Sequence, residues 1–568
     1  MKKNFMKRGG VLLMAGLMAA SMVACGGGGD RFDDGAQTEI NFLHYQGTAG
    51  IEWLEEAAAR FSTLKKDEVY EEGKQGVIVN VAQKQTMPYA TLESDGYDIY
   101  LDESRANIYS YSAQEKLLNL DDIVEGIENR IDSDAIQRMK GADGHYYGLP
   151  SYEWFTGIAY DIDYFNAENL YFAAPTEEAV VTLPETNAKF GKAKFIADAD
   201  AEKSVGPNGV KGDYDDGLPS SLQEMVILCA TIKEKGHSPF IIAGSGDSYA
   251  FHLTHALWAS IAGADAMRSI YTNYGSEPIR MVAGYSDTET MFSSDSGLPK
   301  PIVEEVVLTD ENGYKMYDME ARYYALSFME LMLKEDWFHA SSKDPNGSNL
   351  NADNLFIHPN LQGNTQAAML IDGSYWYHEA QEDGAFETYK QLNPDSEGRN
   401  IGYMPLPTQI EGSVTEGNGK ENTLMNVGSA FVFANKNVSK NPRRERAVRD
   451  FLKFLYTDSE LATFTEKLGL TLPMEYTYDT SNFDSYYAQL STVRNASKVI
   501  NYASSNTRFL KNMDAFSLYW GAPIQMFKVN GKDVTNGYLY AFKQLNASAK
   551  DIFQATQKTE SAWSAMNK

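Results

Sequence analysis

The chain has 568 residues, of which 43% are hydrophobic and 12% aromatic, and its formal net charge at pH 7 is −28. A chain of this length and composition buries a large core and is expected to form more than one domain, which excludes a disordered protein. So large a negative charge repels phosphate backbones. It therefore excludes general nucleic-acid binding and favours a neutral ligand over an anionic one.

The first 24 residues have the pattern of a bacterial export signal. Basic residues precede an apolar run over 11–20, which is too short to span a bilayer. Met22-Val23-Ala24-Cys25 resembles a lipobox, where bacterial lipoproteins are cleaved and lipidated on the cysteine, with Met22 where leucine is usual. The glycines after Cys25 suit a flexible tether over 25–38. The alternative is a plain secretory signal with an incidental cysteine. Lipidation predicts an exported protein anchored on the outer face of the membrane.

Residues 39–101 alternate between strand and helix patterns. Strands are predicted over 39–44, 76–82 and 97–101, with an amphipathic helix over 51–64. This order predicts a parallel α/β sheet, whose ligands gather beyond the carboxyl ends of the strands. Gln46 and Glu103 follow two of those ends and are candidate hydrogen-bonding groups. Capping of the next helix is the alternative for the acids at 102 and 103.

The stretch 143–161 contains two short aromatic strands separated by Gly148 and Pro150. This pattern predicts either a crossing between two lobes, with aromatic faces turned to a cleft, or an ordinary buried hairpin. Trp154 is the candidate cleft residue of this stretch.

The next part of the chain contains two predicted insertions, over 176–217 and 280–318. The first is polar, and its acids over 213–217 are interpreted as a solvated loop because the spacing of a calcium loop is absent. Helices are predicted over 219–236, capped by Ser220 or Ser221, and over 249–262. His252 and His255 on the second helix are assigned to structure, since no third metal ligand accompanies them. Cys229 is predicted to be a buried free thiol, which excludes a disulfide framework.

Strand patterns return at 366–370, 401–406 and 425–434. Helices are predicted over 443–456 and 458–467, and the remainder to residue 568 is mostly helical.

Four stretches in this order resemble the extracellular solute-binding proteins of bacterial ABC importers, family 1, the carbohydrate-binding group that includes maltose-binding protein. They are 98–101 followed by 114–122 (QEKLLNLDD), 143–165 (DGHYYGLPSYEWFTGIAYDIDYF), 367–376 (AAMLIDGSYW), and 427–434 with 446–455 and 468–473. The resemblance departs at Glu115-Lys116, where glycine is usual, and at Tyr375, where tryptophan is usual. The chain is also longer than is usual for the family.

The resemblance implies an α/β fold of two lobes joined by crossover segments, with the ligand cleft between them. The first lobe then comprises 39–153 and returns over 425–475, and the second comprises 154–424 with the C-terminal helices of 476–568. The implied function is binding of a sugar or oligosaccharide by lobe closure and delivery to permease subunits. The protein is expected to be a monomer without cofactor, metal or catalytic residues.

A sugar presents C–H faces and a rim of hydroxyls, so its site needs aromatic rings and hydrogen-bonding groups. The candidate rings are Trp154, Tyr375, Trp376 and Trp520, and the candidate rim groups are Gln46, Glu103 and Ser374. Tyr375 and Trp376 are adjacent at a predicted strand end, so one of them is expected to face the cleft.

Two other functions remain open at this point. A surface-anchored glycoside hydrolase also uses carboxylates and aromatic rings, although the sequence has no nucleophile elbow, His-Glu-x-x-His motif or phosphate loop. The same fold binding a peptide or another non-sugar ligand is the second.

Overall fold

The computed structural model describes residues 35–47, 49–102, 108–175, 181–182, 189–191, 193–245, 247–272, 277–344, 346–359, 365–411, 421–426, 431–501, 527–535 and 537–565. The predicted export signal, Cys25, Glu103 and Trp520 lie outside these residues. Strands and helices are numbered below in chain order.

The sheet of the first lobe combines strands from distant parts of the chain, in the order β2-β1-β3-β14-β4. Their bounds are β1 Thr38–Tyr45, β2 Val77–Lys84, β3 Ile99–Asp102, β4 Leu149–Pro150 and β14 Phe431–Ala434. Strand β1 pairs in parallel with β2 and β3, whereas β14 runs antiparallel to β3 and β4. The predicted parallel α/β order at the start of the chain is therefore confirmed.

Helices cover this sheet through apolar faces. Their bounds are α1 Glu52–Leu64, α2 Ile108–Ala113, α3 Asp121–Val124, α4 Ser133–Ile136, α13 Pro442–Leu455 and α14 Asp458–Leu468. Helix α1 forms because Leu54, Ala58 and Phe61 recur on one face and are buried together. The Phe61 ring meets that of Phe451 on α13 at 5.0 Å, so the returning segment completes the core of the first lobe.

The second lobe is built on a sheet in the order β12-β5-β11-β8. The bounds are β5 Thr156–Asp161, β8 Ser238–Ile241, β11 Ala367–Gly373 and β12 Ile401–Met404, and every residue of these strands is buried. Met369 and Ile371 of β11 belong to one hydrophobic core and Leu370 to another. Helices therefore cover both faces of this sheet, which explains its nearly continuous apolar strands.

Helices of the second lobe come from the middle and the end of the chain. Their bounds are α5 Ile162–Glu168, α6 Leu222–Glu234, α7 Asp247–Ala262, α8 Ala264–Thr272, α9 Glu320–Lys334, α10 Asn349–Ile357, α11 Trp376–Glu382, α12 Ala385–Leu392, α15 Ser485–Ala496, α16 Gly537–Leu545, α17 Ala549–Ala555 and α18 Glu560–Ala565. Ser221 caps α6 by accepting the backbone N–H of Glu224 at 3.1 Å, as predicted.

The two insertions are more ordered than their sequences predict. In the first, β6 Val181–Thr182 pairs with β7 Lys194–Phe195, and Phe190 and Phe195 are buried in the second-lobe core. In the second, β9 Ile279–Thr290 and β10 Pro299–Val306 form an antiparallel hairpin. The prediction that the acids over 213–217 form a solvated loop is wrong, because Asp215 is fully buried.

Short strand pairs complete the second lobe. Strand β13 Thr423–Asn426 runs parallel to β15 Lys498–Asn501, and β16 Phe527–Val529 pairs with β17 Lys532–Val534. Cys229 is a buried free thiol, as expected. Among the described helices, none combines the length and the apolar character needed to cross a membrane.

Candidate functional site

The chain crosses from the first sheet to the second over residues 151–155. Pro150 is paired with Phe431 in the first sheet, and Thr156 is paired with Gly373 in the second. The backbone N–H of Trp154 donates to Oδ1 of Asn426 at 3.2 Å. Trp154 therefore lies beside the segment that returns to the first lobe, and 143–161 is a crossing rather than an isolated hairpin.

A buried ion pair fastens this crossing to the second lobe. The Glu153 side chain is fully buried, and it accepts a hydrogen bond from Nε of Arg494, on α15, at 2.6 Å. It also accepts a hydrogen bond from the hydroxyl of Thr471 at 2.8 Å. Arg494 reaches Asp132 of the first lobe at 3.3 Å, and burial together with the charge of Glu153 raises the pKa of Asp132 to about 6. Arg494 thus joins both lobes at the crossing.

Four half-buried side chains form an aromatic wall where the lobes meet. We use this name for Trp154, Tyr249, His252 and Tyr375. The Trp154 ring lies edge-on to Tyr375 at 5.3 Å and to His252 at 5.5 Å, and the hydroxyls of Tyr249 and Tyr375 are 3.0 Å apart. Trp154 packs against the cores of both lobes, and Tyr375, which belongs to the second lobe, packs against the core of the first.

The chemistry of the aromatic wall is apolar with polar tips. Ring faces pack on C–H groups, and tyrosine hydroxyls donate or accept hydrogen bonds. Burial lowers the pKa of His252 to about 3, so its imidazole is neutral at pH 7. The wall therefore carries no charge of its own.

Acidic groups lie behind the wall in the second lobe. Asp372 is 3% exposed, its Oδ1 accepts the N–H of Gly373 at 2.6 Å, and its carboxylate lies close enough to Tyr249 to interact with that hydroxyl electrostatically. Burial raises its pKa, and burial together with the charge of Asp372 raises that of Asp353. Burial also raises the pKa of Glu379 to about 7. No lysine or arginine of the described ranges forms an ion pair with these acids.

Ser374 is brought to the crossing, but its hydroxyl is used within the protein. Its Oγ accepts the N–H of Phe155 at 3.1 Å, and its own N–H donates to the carbonyl of Phe155 at 2.7 Å. Ser374 is 1% exposed. It therefore holds the crossing in place rather than lining the rim of a ligand.

Trp376 lies in the core and not at the cleft. It is 1% exposed, and the rings of Phe356, Tyr377 and Tyr486 surround it at 5.5 to 5.8 Å. The expected alternation of Tyr375 and Trp376 requires a strand, but β11 ends at Gly373 and α11 begins at Trp376. Tyr375 is thus the member of the pair that reaches the lobe junction.

Gln46 follows β1 and its side chain is exposed. Its backbone N–H donates to the carbonyl of Lys84 at 2.9 Å, which leaves the amide group at the carboxyl edge of the first sheet. The neighbouring His44 is fully buried against Trp53, and burial lowers its pKa to about 4.

Sequence reasoning did not assign Tyr249, His252 or Asp372 to the site. A signal for the first two was present, because α7 follows β8 after a glycine-containing turn. Such a helix begins at the ligand-binding edge of an α/β sheet. Asp372 had no such signal, since its position behind Tyr249 depends on how α7 packs on β11.

Comparisons with known proteins identify the fold. No protein-family model matches the chain, and no curated protein matches it. The solved structure of a chitin oligosaccharide binding protein superposes with a TM-score of 0.53 and 14% identity, covering 93% of this chain and 99% of that chain. A structure from work on xylan utilization by the thermophilic bacterium Caldanaerobius polysaccharolyticus gives 0.50 and 13%, covering 91% and 99%. At these identities the likeness shows the fold, and the predicted α/β fold of two lobes is confirmed.

Proposed function

We propose that this chain, which has the two-lobed fold of the family 1 extracellular solute-binding proteins, is the substrate-binding component of an ABC importer. In this proposal Cys25 carries a lipid that anchors the protein to the outer face of the cell membrane. The lobes close on a sugar or oligosaccharide, and the loaded monomer delivers it to permease subunits. The protein binds and releases its ligand without chemical change.

The observation that carries the proposal is the aromatic wall at the junction of the lobes. Trp154 touches both cores, so a ligand held against its ring contacts the segment on which lobe closure depends. Flat aromatic faces suit the C–H faces of a sugar ring, and the hydroxyls of Tyr249 and Tyr375 suit its rim. The likeness of the fold to a protein named for binding chitin oligosaccharides agrees with a carbohydrate ligand.

The groups behind the wall favour a neutral ligand. Asp353, Asp372 and Glu379 are buried near it without an ion pair to a lysine or arginine of the described part, and burial raises the pKa of all three toward the neutral acid. A phosphate or carboxylate on the ligand would find no positive charge there, whereas a neutral polyol needs none. The net charge of −28 acts in the same direction at long range.

A thermal-shift screen over monosaccharides and oligosaccharides tests the ligand class, because a ligand that binds only the native state raises the melting temperature. We expect at least one neutral saccharide to raise the melting temperature of the wild type and not that of Tyr375→Ala. Tyr285→Ala is the matched control. Tyr285, on β9, is also half-buried and packs edge-on to another tyrosine, Tyr323 of α9. That variant should retain the shift.

Two other outcomes would replace parts of this function. A shift with a peptide or polyamine, and with no saccharide, would keep the fold and change the ligand class. Turnover of an oligosaccharide during the assay would make the protein a hydrolase. The anchor is tested separately, because Cys25→Ser should move the protein from the membrane fraction to the soluble fraction.

A further inference from the structure

The loop 206–217 of the second lobe brings three carboxylates together. Asp213, Asp215 and Asp216 each offer an oxygen atom, and these atoms lie within 4.8 Å of one another. Lys203 lies nearby, but its ammonium group is placed over the Tyr171 ring at 3.4 Å. No ion pair joins the three acids to a basic residue of the described ranges.

Asp215 enters this group from the protein interior. It is 0% exposed, its Oδ2 accepts the N–H of Asn208 at 3.0 Å, and its buried Oδ1 has no hydrogen-bond partner among the described residues. Oδ1 of Asp216 is likewise buried, and no described residue donates a hydrogen bond to it. A buried carboxylate oxygen that receives no donor and faces two further acids is unfavourable unless a positive charge lies among them.

The surrounding loop fixes the direction of the carboxylates. The side-chain amide of Asn208 donates to Oδ2 of Asp213 at 2.7 Å, and the N–H of Gly212 donates to Oδ2 of Asp216 at 2.8 Å. Gly206 has a φ of +62°, and a side chain there would collide with Asp215. The loop therefore holds the acids together although like charges repel.

We propose that the loop 206–217 binds a divalent cation, with Ca²⁺ preferred, through the carboxylates of Asp213, Asp215 and Asp216. Oxygen ligands select hard cations, and Ca²⁺ accepts irregular arrangements of carboxylates more readily than Mg²⁺ does. The proposal does not depend on the bound sugar. It also does not use the spacing of a helix-loop-helix calcium motif, which this sequence lacks.

A cation here would hold the loop to the part of the second lobe nearest the crossing. The carbonyl of Tyr214 accepts Nε2 of Gln489, on α15, at 3.2 Å. The Tyr214 hydroxyl accepts Nδ2 of Asn422, just before β13, at 3.4 Å. Helix α15 also carries Arg494, so an ordered loop 206–217 supports the helix that binds the crossing.

A proton shared among the three acids is the competitor for the same space, because like charges held this close together also favour the neutral form of one of them.

The test is a metal titration followed by melting temperature, on the whole chain after removal of metal with a chelator. CaCl₂ and MgCl₂ are added up to about 10 mM, the upper range for extracellular calcium modules, with KCl at matched ionic strength. We expect Ca²⁺ to raise the melting temperature of the wild type by about 2 °C. Asp215→Asn and Asp216→Asn should abolish the shift, and the exposed Asp200→Asn should retain it.

Asp215→Asn resembles the protonated acid in shape, and circular dichroism will show whether each variant is folded. If Asp215→Asn fails to fold, Asp216→Asn carries the test, because Asp216 is partly exposed. The proposal is overturned if neither cation shifts the wild type beyond KCl, since a shared proton then occupies the site. It is also overturned if the Asp216→Asn protein keeps the full shift, because the cation then binds elsewhere.

Discussion

Asp353 and Asp372 lie in the second lobe, 2% and 3% exposed, close enough for their charges to interact. Burial raises the pKa of both, so the folded chain binds a proton at this pair more tightly than the unfolded chain does. Because the unfolded state releases that proton first, the free energy of unfolding falls as the pH rises from about 4 through the raised pKa. These acids thus make the second lobe less stable in alkaline solution.

Asp372→Asn should remove most of this loss, because asparagine has the shape of the protonated acid and cannot ionise. At pH 8 we expect the variant to be more stable than the wild type by about 2 kcal/mol, with a smaller difference at pH 5. Melting temperatures of both proteins between pH 5 and pH 9 measure the effect, with the exposed Asp200→Asn as control. Parallel curves for the wild type and Asp372→Asn would show that the pair is not protonated.

Trp376 lies in the core, so its contribution to stability can be separated from the contribution of Tyr375 to ligand binding. Trp376→Ala should lower the free energy of unfolding by about 3–5 kcal/mol, since it leaves a cavity among Phe356, Tyr377 and Tyr486. The folded fraction should still bind ligand. Denaturant unfolding measures the loss of stability. If fully folded Trp376→Ala protein bound the ligand more weakly than the wild type, Trp376 would belong to the binding site.

At the scale of elements, the crossing depends on helix α15, which follows the return to the first lobe. Arg494→Met leaves the fully buried Glu153 without its charge partner and should lower the free energy of unfolding by about 3 kcal/mol. Adding Glu153→Gln should recover part of that loss, because no charge then remains buried. Urea unfolding of the wild type, both single variants and the double variant measures the coupling. Additive losses would mean that the pair does not interact.

The elements that were predicted closely are those whose signals are local. Helix α1 was expected over 51–64 and spans Glu52–Leu64, and α6 begins directly after its predicted cap, Ser221. Amphipathic spacing and a capping hydroxyl act within one or two turns, so the sequence alone specifies them.

Features that depend on tertiary packing were missed. Trp376 was expected near a strand end, but the start of α11 after Gly373 turns it into the core. Asp215 was expected in solvent because its neighbours are polar and acidic, whereas the fold of 206–217 turns it inward. The rings of Trp154 and Tyr375 come into contact where the two lobes meet, and no local sequence pattern predicts a contact between residues so far apart in the chain.

At the scale of the whole molecule, contacts between the two lobes would link ligand binding to lobe closure. The aromatic wall combines the crossing residue Trp154 with Tyr249, His252 and Tyr375 of the second lobe, and two of its rings pack on the first-lobe core. Arg268 of α8 also pairs with Asp134 of α4 at 3.1 Å, so a polar contact links the lobes beside the apolar one. A ligand seated on the wall would favour the conformation in which these contacts are made.

Titration calorimetry measures whether a neutral saccharide binds at the aromatic wall. The saccharide giving the largest thermal shift is titrated into the wild type, Tyr375→Ala and the control Tyr285→Ala. We predict one site per chain in the wild type and the control, and an affinity at least about tenfold weaker in Tyr375→Ala, equal to about 1.4 kcal/mol. Equal affinity in all three proteins, or heat from no saccharide at all, would show that no neutral saccharide binds at the aromatic wall.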